Sequence, residues 1–440
     1  MCYCDLVGME TAGRAMKVCR LIAAREVFMK LIRCRFLLIA LLALTLFPIM
    51  VSGQAGQTLN GFKGFGIDAH LADPPAPETV KVLADMGVRW VREGVLWGMT
   101  ERSKGQYDFG RLDRMVAALA PYNIRPILIL CYRNALYDGG QSPSTDAGRQ
   151  AFVQWTMAAV HRFQGRGFIW EMYNEPNEDF FWRPKANVQD YIKLATAVGE
   201  AFRQNTPGEV LIGPAISTFD YLPFVEACLQ GGLLRYWSAV SVHPYRLRKI
   251  PETVIPDFRA LRSLIVRYAP PGKQVAMISS EWGYPSVGNG VNEDLQAKFL
   301  ARQWLATLAS DVAVSDWYDL YDDGADPNNP TQHMGLISGP HVKPAYYAAR
   351  ACAKFVGSES SGRPITVGGS DVYVVLFGDG RATRVAAWTT SSEPRKVVIP
   401  VKAGRYSVTN YMGGEQPAVT ASNNGLPAVL TDGPQYFVPE

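Results

Sequence analysis

The stretch Phe168-Ile169-Trp170-Glu171-Met172-Tyr173-Asn174-Glu175-Pro176-Asn177 begins as a buried strand and ends in an amide, a carboxylate and a proline. Its first half is apolar enough for a strand covered on both faces. Burying an unpaired carboxylate is costly, so Glu175 marks the point where that strand leaves the interior and meets solvent.

Similar runs recur on either side. GFGIDAH (64–70), VRWVREGVL (88–96), RPILILCY (125–132), EVLIGPA (209–215), AVSVHPY (239–245), QVAMISSEW (274–282) and VSDWYDL (314–320) all read as strands. Between them lie stretches such as PETVKVLADMG, AFVQWTMAAVHRF and DLQAKFLARQWLATLA, whose apolar residues recur at helical spacing. Eight strands alternating with helices predict a (β/α)₈ barrel over residues 56–357. A doubly wound open sheet would carry a glycine-rich loop after its first strand, and HLADPPAPE is not one.

After Gly357 the helical period disappears. SESSGRP reads as a linker, and DVYVVLF, TRVAAWTT, RKVVIPV, RYSVTNYM and PQYFVPE are short runs separated by turn residues. Residues 358–440 therefore predict a small antiparallel β-sandwich domain.

The N-terminus differs from both. Lys30, Arg33 and Arg35 precede the uncharged run Phe36–Val51, which is followed by VSGQAG. That is the layout of a secretory signal peptide, with cleavage expected after Gly53 or Ala55. The run is short for a membrane span, so a secreted or periplasmic protein without stable membrane insertion is expected, or an anchored one if the signal is retained. Met29 offers a second start, making residues 1–28 a possible over-extension. The net charge of +4 belongs to this leader: residues 1–53 hold seven of the 44 Lys/Arg and three of the 40 Asp/Glu, leaving 37 of each. The balance gives no basis for a nucleic-acid partner. Cys131, Cys228 and Cys352 remain outside the leader, odd in number and widely spaced, and show neither a disulfide framework nor zinc spacing.

In a barrel of this kind the reactive residues gather at the C-terminal strand ends. Those ends present His70, Arg92 with Trp97, Tyr132 with Asn134, Asn174 with Glu175, His243 with Tyr245, Glu281 with Trp282, and Trp317 with Tyr318. Two carboxyls across a barrel mouth suit cleavage of a glycosidic bond, one protonating the departing oxygen while the other attacks or assists the anomeric carbon. The alternative is that each glutamate serves only to pair with an arginine at the barrel end. Trp97, Trp182, Trp282 and Trp317 are the aromatic faces expected to stack on sugar rings. YDDGADPNN (321–329) is rich in carboxylates but lacks the ordered spacing of a calcium loop, so no metal is expected. His161 and His333 read as ordinary helix or loop residues; Arg183 and Lys185 suit either acidic sugars or solvated charge.

NEPN on the fourth strand with SEWG on the seventh resembles clan A of the glycoside hydrolases, the retaining (β/α)₈ enzymes. Within it, FFWRPKAN (180–187), HPY and the short C-terminal β domain most resemble family 39, which includes β-xylosidases, α-L-iduronidase and exopolysaccharide endoglycosidases. The resemblance covers roughly residues 60–440. It implies Glu175 as general acid/base, Glu281 as nucleophile, Asn174 on the sugar 2-hydroxyl, Arg92 and Tyr245 as supports of the nucleophile, and His243 lining the subsite. The first strand, GIDAHLAD, departs from the family pattern, which leaves the contacts of Asp68 and His70 open. A retaining hydrolase of β-linked polysaccharide or oligosaccharide, needing no cofactor, is the expectation. An exo-acting β-glycosidase of the same family and a non-catalytic carbohydrate-binding barrel are its alternatives.

Overall fold

The computed structural model describes residues 62–246, 248–288, 291–358 and 362–440. The expected export signal lies outside them. Among the described residues no helix is long and apolar enough to cross a membrane.

Eight parallel strands close into a barrel in chain order: β1 (Gly64–Asp68), β2 (Trp90–Leu96), β3 (Arg125–Cys131), β4 (Ile169–Met172), β5 (Val210–Ile216), β6 (Ala239–Val242), β7 (Ala276–Ser279) and β8 (Val314–Tyr318). The closure is the pairing of β8 with β1, Asp316 opposite Gly66 and Tyr318 opposite Asp68. Six of the strands end one to three residues earlier than the runs read from sequence, whereas β2 ends with its run at Leu96 and β5 continues one residue past its run to Ile216. Helices α1 (Pro77–Met86), α2 (Gly110–Leu119), α3 (Asp146–Phe163), α4 (Val188–Asn205), α5 (Leu222–Gln230), α6 (Ile255–Tyr268), α7 (Glu293–Ala309) and α8 (Pro344–Val356) follow the strands in turn. Several begin at side-chain caps: Thr145 accepts from the Gly148 amide, Asn187 from Gln189 and Asp190, and Asn292 from Leu295. Each satisfies helix-end donors that otherwise lack a partner.

The barrel interior is layered by the two-residue period of its strands. Near the strand starts it is apolar, packed with Trp90, Ile127, Ile169, Ile212, Ala239, Ile278 and Val314. Two residues further along, four of the same strands place Arg92, Glu171, Ser241 and Asp316 in the interior, all buried. Gly66 makes room for this polar layer. A Cβ there would lie 1.7 Å from Oδ1 of Asp316 and 2.9 Å from the Trp90 side chain.

Beyond α8 the chain forms antiparallel sheets. One has six strands in the order β11-β12-β13-β18-β15-β16 (Arg363–Ile365, Val372–Phe377, Arg384–Thr389, Gln435–Pro439, Gly404–Asn410, Glu415–Ala421), and the other pairs β14 (Arg395–Ile399) with β17 (Leu426–Leu430). Preceding β11 are the two-residue strands β9 (Ile337–Ser338) and β10 (His341–Val342). β16 and β17 carry Pro417 and Pro427, which obscure their alternation in sequence. β16 lies at the sheet edge, where proline is tolerated.

β12 explains its own apolar run. Val374 and Leu376 face a core shared with Ile399, Leu426 and Phe437, whereas Val375 and Phe377 join the core of the barrel helices. Phe355 of α8 packs against Phe377 at 5.4 Å and stacks on Tyr436 at 4.5 Å. Below them Glu252 takes two 2.7 Å hydrogen bonds from Arg302 and one of 2.7 Å from Trp388 Nε1. The described residues fall within one compact unit, and apolar side chains of α8 and the C-terminal sheets pack against one another.

Candidate active site

Arg92, projecting inward from β2, organises the upper barrel. Its Nε donates to Glu171 at 2.7 Å, Nη2 to Asn174 Oδ1 at 2.6 Å, and Nη1 to Glu281 Oε2 at 2.8 Å and to Asp68 at 3.3 Å. Its planar fork suits several acceptors held at fixed angles. Burial alone would lower its basicity, but Glu171, Asp68 and Glu281 together raise it well above the ordinary arginine value. Burial also works against ionisation of Glu171, and Arg92 and His243 outweigh it, holding that carboxyl below its usual range. Asp68 and Asp316 go the other way: burial and the neighbouring acids push both well up despite Arg92. Around the buried Arg92 cation the ionised form of Glu171 is thus favoured, whereas that of Asp68 and Asp316 is disfavoured.

Above this layer the strand ends bring the reactive groups together. Glu281, just past β7, accepts from Arg92 on Oε2 and from the Tyr245 hydroxyl on Oε1 at 2.7 Å. Glu175 accepts at Oε1 from Nδ1 of His243 at 2.8 Å, and the other ring nitrogen of His243 lies 3.3 Å from Nη2 of Arg92. One carboxylate oxygen of Glu175 and one of Glu281 are within 4.8 Å of each other. The chain reaches this position by a sharp bend, with Tyr173 at φ 70° and Glu175 at φ 45°. Such angles strain non-glycine residues and are tolerated where the surroundings enforce them; the Glu175 amide is tied to the Ala215 carbonyl at 2.9 Å.

Burial raises the Glu175 carboxyl to about 7, with Glu178 and Glu171 adding to the rise and Arg92 opposing it. Desolvation thus sets its acidity, rather than the repulsion from Glu281 expected from two facing glutamates. The same burial takes His243 down to about 4, so its imidazole is neutral near pH 7. His243 is wholly buried. It connects Glu175 to Arg92 and does not line the subsite as the resemblance implied.

A cavity of about 530 Å³ opens here, lined by Asp68, His70, Arg92, Asn174 and Glu281 and by three aromatic rings, Tyr132, Phe181 and Tyr318. Glu175 stands just outside this lining with 12% of its side chain exposed. A larger hollow of about 670 Å³ lies at the opposite end, around the starts of β7 and β8, away from the carboxyl pair.

The structure assembles Arg92, Asn174, Glu175, His243, Tyr245 and Glu281, and separates the tryptophans from them. Trp97, Trp182, Trp282 and Trp317 are each at most 1% exposed. Trp97 stacks on Tyr137 and donates to Glu101, Trp182 packs between Tyr173 and Tyr191, Trp282 against Tyr284, and Trp317 donates to the Met334 carbonyl. None of the four presents an exposed face for a sugar ring. Tyr132, Phe181 and Tyr318 line the cavity instead, Tyr132 and Phe181 stacked on each other, and their signal was positional: Tyr132 follows β3, Tyr318 ends β8, and Phe181 follows NEPN by four residues. Arg183 and Lys185 are exposed and do not line the cavity. Asn134 is structural, donating to the Glu101 carbonyl.

No protein-family model and no curated protein matches this sequence. Solved structures do match its fold. A family 39 glycoside hydrolase from the gut symbiont Bacteroides cellulosilyticus WH2 superposes with a TM-score of 0.75 at 23% identity, over 87% of this chain and 82% of that one. The family 39 enzyme of Xanthomonas axonopodis pv. citri gives 0.60 at 15%, over 88% and 96%. A family 30 endoxylanase from Clostridium papyrosolvens C71 gives 0.61 at 12%, over 86% and 96%. The structural neighbours are thus family 39 and family 30 glycoside hydrolases, in keeping with the resemblance to clan A; at these identities the likeness is one of fold.

Proposed function

We propose that the protein is a retaining glycoside hydrolase that cleaves β-linked polysaccharide or oligosaccharide through a covalent glycosyl-enzyme. The observation that carries this reading is the unequal treatment of two neighbouring carboxyls. Glu281 accepts a guanidinium N–H on one oxygen and a phenol O–H on the other, a setting that fits an anionic nucleophile acting on the anomeric carbon. Glu175 is buried and raised to about 7, which suits an acid that protonates the departing oxygen.

The separation supports retention. Carboxyls about 5–5.5 Å apart suit direct attack, whereas inversion leaves about 6.5–9.5 Å for a water. One oxygen of Glu175 and one of Glu281 come within 4.8 Å, which is compatible with the closer arrangement. Asn174, oriented by Arg92 at 2.6 Å, is placed to meet a sugar hydroxyl. Tyr132, Phe181 and Tyr318 supply apolar ring faces. When attack by Glu281 forms an ester, its negative charge is lost and Glu175, now ionised, takes a proton from the incoming water. The reading includes export: a signal over residues 1–55 would deliver the enzyme to a secreted or periplasmic polysaccharide.

The test is to incubate the purified protein with a panel of polysaccharides and follow the first-formed anomer by proton NMR. Release of reducing ends in the substrate's own configuration, abolished by Glu281→Gln, supports the reading. Release of the opposite anomer overturns retention, and undiminished release by Glu281→Gln overturns the nucleophile.

A further inference from the structure

We propose that the rim of the barrel carries a divalent transition-metal site built from His70, Asp319 and Asp323. His70 follows β1, and the two aspartates follow β8, the strands that close the barrel. Nδ1 of His70 lies 3.8 Å from Oδ2 of Asp319 and 3.8 Å from Oδ1 of Asp323, and the three atoms fall within 4.8 Å of one another. A cation about 2.1–2.3 Å from Nδ1 and from either carboxylate oxygen would see each 3.8 Å pair at roughly 110–130°, an ordinary ligand angle for a small dication.

A second observation points to a ligand. Asp319 is 1% exposed, and its Oδ1 is buried without a hydrogen-bond partner. An orphaned buried carboxylate oxygen is costly, and two acids converging on one imidazole raise the cost. The nearby ammonium does not relieve it directly, because Lys343 is bonded to Asp322 at 2.6 Å and to Ser286 at 3.0 Å. A dication among the three donors would neutralise both acids, with Asp319 offering the Oδ2 that faces His70.

The outer contacts fit. The Tyr318 hydroxyl donates to Oδ2 of Asp323 at 2.9 Å, orienting Oδ1 toward His70, as partners behind metal-binding carboxylates do. His70 sits at φ 44° with its side chain 54% exposed, its ring edge-on to Tyr318 at 5.5 Å. One imidazole with two carboxylates favours a first-row ion of the zinc or manganese kind over calcium or magnesium, which prefer oxygen alone. Since His70 and Tyr318 also line the cavity of Glu281, positions not filled by protein would open onto that cleft. The trio Glu175, His243 and Glu281 is as compact, but Arg92 stands 2.8 Å from one member and 3.3 Å from another, a poor neighbour for a cation.

The experiment uses the untagged full chain, treated with chelator and dialysed, then titrated calorimetrically with Zn²⁺ alone and Mn²⁺ alone. One equivalent should bind, with a rise in melting temperature and an altered Mn²⁺ electron paramagnetic resonance signal. His70→Ala and Asp323→Asn, both at exposed positions, should keep the metal-free melting temperature and weaken binding at least about tenfold; Glu281→Gln should bind as the parent does. Absence of binding, equal binding by the His70 and Asp323 variants, or displacement by equimolar Ca²⁺ would each overturn the proposal. Loss of binding in Glu281→Gln alone would assign the ion to the other trio and overturn it equally.

Discussion

Nη2 of Arg92 lies 3.3 Å from Nε2 of His243, and this contact fixes the imidazole's tautomer. A guanidinium has donors only, so Nε2 must accept and Nδ1 must carry the hydrogen. His243 is thereby a donor to Oε1 of Glu175, leaving Oε2 to carry the proton that a general acid would deliver. One arginine thus orients both carboxyls, Glu281 directly and Glu175 through the ring.

The first prediction concerns pH. Glu175 is raised to about 7, so the acid form is present below that value and lost as pH rises through it. kcat/KM should fall about tenfold per unit on the alkaline side. His243, near 4, stays neutral throughout and should add nothing to this limb. Residual activity of Glu175→Gln on an aryl glycoside should lack the limb; its persistence would assign the titration to another group.

The two glutamates should also separate by chemical rescue. Glu175→Ala should lose about 10²–10⁴-fold on natural substrates while still reacting with an activated aryl glycoside. Azide should then attack the accumulated intermediate and give a β-glycosyl azide from a β-linked substrate. Glu281→Ala with azide should give the α-azide. NMR of the products decides, and the same anomer from both variants would contradict the assignment.

Tyr245 donates to Oε1 of Glu281, and a hydrogen bond to a charged group is worth about 1.5–3 kcal/mol. Tyr245→Phe should therefore lower kcat/KM roughly 10- to 150-fold, chiefly in kcat, with the melting temperature little changed. A change confined to KM would place Tyr245 in substrate binding instead.

Arg92 should be indispensable to folding as well as chemistry. Arg92→Ala leaves Glu171 and Glu281 without their guanidinium, and breaking a buried pair in this way costs about 3–5 kcal/mol. Arg92→Lys should rescue little, since one ammonium cannot reach the five acceptors that the guanidinium meets. Chemical denaturation measures both; near-parental stability of the alanine variant would refute the buried charge network.

Arg302→Ala should be comparably damaging, because Glu252 would keep only Trp388 as a partner in the buried contact between α7 and the sheets. Trp388→Phe should cost less, about 1–3 kcal/mol. Denaturation midpoints test the order.

Much of this was legible in the sequence. Eight apolar runs at helical intervals specify a barrel, and Glu175 and Glu281 stand out because each ends such a run with a charge. Arg92, Asn174 and Tyr245 follow from the same strand-end reading. The polar layer was less legible: Glu171 and Asp316 sit inside apolar runs, and their partners come from strands distant in sequence. The tryptophans misled for a related reason. Whether an indole at a rim faces a ligand or a neighbouring segment depends on where that segment lands: Tyr137 and Tyr284 from loops and Tyr191 from α4 packed against three of the four. β16 and β17 were hidden by prolines that only their places at a sheet edge and in a two-stranded ribbon make acceptable.

The stacking of Phe355 on Tyr436 has a practical bearing on modularity. A chain cut after Val356 would strip cover from Phe355 and from the α8 face behind it, and would leave Glu252 and Arg302 open to solvent. Such a fragment would be adhesive rather than a free-standing catalyst. The C-terminal sheets behave as a buttress of the barrel wall, unsuited to being exchanged between scaffolds in the way that tethered carbohydrate-binding modules are.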